Sequence, residues 1–288
     1  MKPQEKNLQT NSRLISGREE RLQAALHFNL LSDVFMNLCL KDKAACEYVL
    51  RILTGISDLR VRDVRTQYRI SKGISHDGIL DVLAEDGAGR LYNIEVQNAD
   101  TVDHARRTRF YGAMIDSEVL EKGKTYADLP DVYIIYISAT DIWRAGCTSY
   151  PVKKYFGSTG LEYDDGMHVL YVNAAVDDGT ETAKMLQFFK SADPNDQNHG
   201  ALSERVHYLK CEEGGQQEMC EVTEKIYRDG MAEGKAEGKA EGKMEQAMNT
   251  ANAMHKKGFD NATIADVLQV SVQKVQEWIA GNGMNLAR

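Results

Sequence analysis

An acid stands inside an aliphatic run at Ile79-Leu80-Asp81-Val82-Leu83, and another stands inside the apolar run Tyr92-Asn93-Ile94-Glu95-Val96-Gln97. Between them lies turn chemistry, Glu85-Asp86-Gly87-Ala88-Gly89-Arg90. Two short apolar runs joined in this way predict a β-hairpin. Core strands rarely carry ionised carboxyls without a cation or a partner. Alternation puts Glu95 and Gln97 on one face of their strand. Asp81 joins them if the hairpin loop is centred on Ala88, which requires a loop of odd length; three- and five-residue loops are both common. The plainer reading leaves both acids on the solvent side of an exposed hairpin.

The pattern around the hairpin predicts an α/β domain. Leu30, Leu31, Val34, Phe35 and Leu38 recur at helical spacing, with Ser32 and Asp33 as candidate caps. A second helix carries Ala45, Tyr48, Val49, Ile52 and Leu53 and stops at Gly55. Residues 59–70 alternate as a strand does, and 78–84 and 91–97 are the hairpin strands. Residues 102–120 fit a helix, and Val132 to Ser138 is apolar enough for a buried strand. The order is helix, three strands, helix, strand, with a mixed sheet. A β-rich stretch follows over 163–172, then helical stretches over 180–190 and 202–227.

Two converging carboxylates on a rigid hairpin suit a hard divalent cation, which takes one or two carboxylates and keeps its remaining positions for water and phosphate. Such an ion acidifies water and offsets charge on a phosphodiester under attack. The Val96 carbonyl is a candidate further ligand.

Asp81 followed by Glu95-Val96-Gln97 resembles the D…(D/E)-x-K pattern of the PD-(D/E)XK nucleases, and the wider chain resembles their bacterial branch of recombination-promoting nucleases and transposases. Leu31-Ser32-Asp33-Val34-Phe35, Arg107…Arg109-Phe110-Tyr111, Gly123-Lys124-Thr125-Tyr126-Ala127-Asp128-Leu129 and the C-terminal Glu-Gly-Lys repeat share the likeness, over roughly residues 30 to 245. The resemblance implies a restriction-endonuclease-like core (αβββαβ, a mixed sheet flanked by helices) with a helical C-terminal extension. It also implies a Mg²⁺-dependent DNA endonuclease, with Mn²⁺ as a substitute, in which Asp81, Glu95 and Gln97 are catalytic and Asp81, Glu95 and Val96 hold the metal. Position 97 departs from the pattern: Gln is neutral where Lys would be a cation. Gln97→Lys would restore that cation and is expected to preserve or raise activity if the Lys head reaches the same water. The contrasting reading is a non-catalytic DNA-binding or assembly protein on an inactivated nuclease fold. Two roles stand for Asp33, a third acid near the metal or a first-turn helix acid.

Arg106, Arg107, Arg109 and Tyr111 are candidate DNA contacts, because Arg pairs well with phosphate and 107 and 111 share a helix face. The alternative is a solvated basic face. The net charge of −8 excludes a broadly basic DNA coat but not a local one.

Four regions are expected: a mobile arm over 1–20, the nuclease domain over 21–228, a repeat over 229–243 and a helical module over 244–288. Glycine recurs every four residues at 230, 234, 238 and 242. Gly234 to Lys239 lacks the phosphate-loop spacing, and Ala240 stands where Ser or Thr is required. Flexible linker and glycine-striped partner-packing helix both stay open. Thr263 to Leu268, the turn at 269–271 and Val272 to Ile279 resemble a helix-turn-helix; a helical interaction module, and through it a homo-oligomer, is the other reading.

The five cysteines form no CxxC and no zinc spacing, which fits reduced thiols. His27, His76, His168 and His207 show no ligand spacing, though His76 precedes the first hairpin strand closely enough to touch the site. Neither an apolar leader nor a membrane-length apolar run is visible, so a soluble, cytoplasmic bacterial protein is expected.

Overall fold

The computed structural model describes residues 19–20, 22–71, 78–98 and 103–284. Most of the expected arm, along with His76 and Val102, lies outside the described residues. The elements in chain order are α1 (Asp33–Leu40), α2 (Lys43–Thr54), β1 (Val61–Ile70), β2 (Gly78–Asp86), β3 (Leu91–Gln97), α3 (His104–Val119), β4 (Val132–Ser138), β5 (Ser149–Pro151), β6 (Met167–Asn173), α4 (Glu181–Ser191), α5 (Gly200–Cys211), α6 (Glu213–Lys256), α7 (Asn261–Leu268) and α8 (Val272–Met284). Contacts divide the chain into two compact units, Met1–Glu221 and Val222–Arg288.

The first unit holds a six-stranded sheet in the order β1-β2-β3-β4-β6-β5. β1, β2 and β3 form an antiparallel meander; β3, β4 and β6 run parallel; β5 closes the far edge antiparallel to β6. A parallel pair needs a crossover, and α3 supplies the one between β3 and β4. β4 sits centrally, and Ile134, Ile135 and Ile137 are all fully buried. Each such side chain stabilises the fold by about 1.5–3 kcal/mol relative to exposure. The short strand β5 has no signal in the sequence pattern, since three residues ending in Pro151 show no period.

Local chemistry sets the boundaries. Asp42 caps α2 by accepting from the Ala45 amide at 2.9 Å, and Gly55 ends it in the left-handed conformation. The side chain of Ser32 makes no capping bond to α1; Asp33 is a first-turn acid whose Oδ1 accepts from the Val34 amide.

The β2–β3 turn is organised by Asp86, 1% exposed, whose carboxylate accepts from the amides of Ala88 and Arg90, the Arg90 guanidinium and the Tyr92 hydroxyl. Glu85 pairs with Leu91, so the loop between them has five residues and is centred on Ala88. The same register pairs Val82 with Ile94, which sets Asp81 opposite Glu95, as the hairpin parity requires.

In the second unit the glycine repeat takes the helical one of its two alternatives. Residues 230–243 are helical, part of the 44-residue α6. The end of α6 packs with α7 and α8 around Ala251, Ile264, Ala265, Val275 and Trp278. A turn through Gln269 joins α7 to α8, and Ser271 accepts from the Lys274 amide. No helix among the described residues is long and apolar enough to cross a membrane. All five cysteines are free.

Candidate active site

Asp81 and Glu95 meet where the β2–β3 ladder gives way. Instead of continuing backbone to backbone, the Asp81 amide donates to Glu95 Oε1 at 3.2 Å, and the Val96 amide donates to Asp81 Oδ2 at 3.2 Å. Each carboxylate thus accepts from the neighbouring strand, and the two are locked side by side. Gln67 on β1 donates to the other Asp81 oxygen at 3.3 Å.

Glu95 is 5% exposed. Burial pushes its carboxyl well above the ordinary range, and the charge of Asp81 pushes it further; the Asn93 amide, the Asp81 N–H and the Tyr111 hydroxyl oppose this. Asp81 is raised too, first by burial and then by the charge of Asp33, against the Val96 amide, Gln67 and Arg107. Asn93 is fully buried beside Glu95, yet neither polar atom of its side chain completes a hydrogen bond of good geometry. A buried acid and a half-buried one that repel each other, next to an unsatisfied amide, fit a hard cation with its bound waters.

Asp33 acts on Asp81 through its charge. A hydrogen bond from Asn98 Nδ2 to the Leu31 carbonyl, 2.6 Å, ties the end of β3 to the segment entering α1. Among the described residues, no three Asp, Glu, His or Cys side chains converge to hold an ion.

The structure turns Arg107 and Tyr111, expected on a DNA-facing surface, into the site. Arg107 donates to Gln97 Oε1 at 3.0 Å and to the Tyr111 hydroxyl at 3.0 Å, and Tyr111 is buried. Arg106 and Arg109 stay exposed. The cause is the anchoring of α3. His104 Nδ1 lies 2.9 Å from the Tyr136 hydroxyl on β4, and Thr108 Oγ1 lies 2.8 Å from the Tyr171 hydroxyl on β6. His104, Arg107, Thr108 and Tyr111 fall at i, i+3, i+4 and i+7, so anchoring the first and third aims the other two at β3. Sequence reasoning passed over His104 and Thr108, although that spacing was a usable signal.

A mixed sheet whose antiparallel hairpin delivers two carboxylates beside a parallel βαβ crossover defines a restriction-endonuclease-like α/β fold. The chain belongs to the PD-(D/E)XK nuclease family transposases, whose family model matches residues 64–261. Membership gives a nuclease-type function with DNA as the implied substrate, and PD-(D/E)XK nucleases generally use divalent metal ions. No curated protein and no solved structure matches the chain.

Proposed function

We propose that the protein is a Mg²⁺-dependent DNA endonuclease, with Mn²⁺ as a substitute, serving recombination or transposition in the bacterial cytoplasm. The observation that carries this reading is the Asp81–Glu95 pair, two desolvated acids held side by side by crossed strand hydrogen bonds. Asp81, Glu95 and the Val96 carbonyl would hold the ion, and Asp33 adds negative potential beside it. When bound, such an ion supplies acidified water and neutralises charge on the phosphate.

Gln97 would orient the attacking water by hydrogen bonding, since a neutral amide cannot take its proton. Arg107 fixes Gln97 and brings a cation beside the position where the family pattern has Lys. This favours the catalytic reading over a non-catalytic DNA-binding protein on an inactivated fold. Arg106 and Arg109 would contact the DNA backbone. The exposed stretch of α6 is assigned to self-association.

The test is incubation of purified protein with supercoiled plasmid and Mg²⁺ or Mn²⁺, with and without chelator. Nicking that requires the ion supports the reading. Tight binding to DNA with no cleavage under any divalent ion replaces it with the non-catalytic one.

A further inference from the structure

We propose that Gln67 is a positioning residue for Asp81, held in a strained backbone conformation so that its amide reaches that carboxylate. This rests on the reading of Asp81 as a metal ligand.

Four non-glycine residues among those described have positive φ. Ala192 and Gln269 end helices and Arg144 lies in a loop, whereas Gln67, with φ of 52°, sits inside the strand β1. The left-handed region is costly for a residue with a Cβ, and it favours Gly and Asn. Nothing in the ladder forces it here. The β1–β2 pairing passes from Thr66↔Val82 to Tyr68↔Leu80 with no inserted residue. Burial does not explain it either, because Gln67 lies on an edge strand and is exposed.

What the conformation does achieve is visible at Asp81. Asp81 sits in a gap of the β1–β2 ladder, opposite Gln67, and just past the end of the β2–β3 ladder, opposite Glu95. One carboxylate oxygen accepts from the Gln67 amide and the other from the Val96 amide. Two donors from different strands fix the plane of the carboxylate and leave its remaining lone pairs for a cation. Strain in the backbone, traded for the orientation of a functional group, is the pattern expected of a functional site.

The test compares wild type, Gln67→Gly, Gln67→Asn and Asp81→Ala. Thermal melts are run in chelator, and Mn²⁺ binding is measured by calorimetry. Gln67→Gly relieves the strain and removes the amide, so Tm should rise by roughly 2–4 °C while Mn²⁺ affinity falls by roughly tenfold. Gln67→Asn tolerates the conformation and keeps an amide, so part of the affinity should return. A residue that served only the fold would lose Tm on substitution, and that outcome overturns the proposal. So does a Gln67→Gly protein that binds Mn²⁺ like wild type while Asp81→Ala has lost binding. If Asp81→Ala itself binds Mn²⁺ normally, the metal-site reading fails and this inference falls with it.

Discussion

The Arg107 guanidinium donates to the side-chain oxygen of Gln97 at 3.0 Å. A lysine at 97 would place a second cation against it, which reverses the expectation that Gln97→Lys preserves or raises activity. Gln97→Lys alone should lower cleavage by at least tenfold, from lost hydrogen bonding and like-charge repulsion, on the order of 1.5–3 kcal/mol. Pairing it with Arg107→Gln restores one cation and one amide and should recover much of the rate. Single-turnover cleavage of the two single variants and the double variant decides this; an additive double variant would show that the two side chains act separately.

Glu95 gives the metal-free protein a distinctive pH response. Its folded-state pKa is raised by burial and by Asp81. A raised acid contributes stability below its unfolded pKa and loses it as pH rises through the folded value. Tm in chelator should therefore decline from the ordinary carboxylate range upward through the raised range, and Glu95→Gln should flatten that decline. A divalent ion needs the ionised pair, so the Tm gain from Mn²⁺ should grow with pH over the same window. Melts across a pH series in chelator and in Mn²⁺ check both slopes.

Arg106 and Arg109 are exposed on α3, while Arg107 is committed to Gln97 and Tyr111. Replacing Arg106 and Arg109 with Ala should reduce the slope of log affinity against log salt by about two for duplex DNA. Titrations at several salt concentrations, in chelator to prevent cleavage, measure it. An unchanged slope places the DNA backbone elsewhere.

Asp86 holds the turn that sets the hairpin register. Although burial works against its charge, Arg90 and Tyr92 hold its carboxyl below the ordinary range. Asp86→Ala should cost about 2 kcal/mol, because it leaves the buried Tyr92 hydroxyl and the turn's less buried donors without their acceptor. The stability that a lowered acid contributes is present above its unfolded pKa and disappears as pH falls through the folded one. The gap in Tm between wild type and Asp86→Ala should therefore close in acid.

The hairpin and the common face of Glu95 and Gln97 were legible in the chain because strand side chains alternate and the turn residues are unmistakable. Whether Asp81 shares that face depended on the length of the loop, which the residues left open; the pairings Glu85↔Leu91 and Val82↔Ile94 close a five-residue loop and bring it there. The site around the pair was not legible in the same way. Arg107 reads as a member of a basic run; only the anchoring of His104 and Thr108 on Tyr136 and Tyr171, which are distant in sequence, turns it inward. The positive φ of Gln67 leaves no mark in an alternating strand pattern. Residues 230–243 stayed open between linker and helix because glycine's helix penalty and the neighbouring Ala, Glu and Lys pull in opposite directions.

Asp81 is the residue on which the proposed metal site most depends. Asp81→Asn keeps the shape of the side chain and removes the charge that would hold the ion, so the measurement is the rate of Mg²⁺-dependent plasmid nicking by this variant beside wild type at saturating ion. The expected result is a folded variant with cleavage reduced by at least about a hundredfold, since the ion's contribution is worth several kcal/mol. A variant that nicks plasmid at the wild-type rate would contradict the assignment of the Asp81–Glu95 pair as the active site.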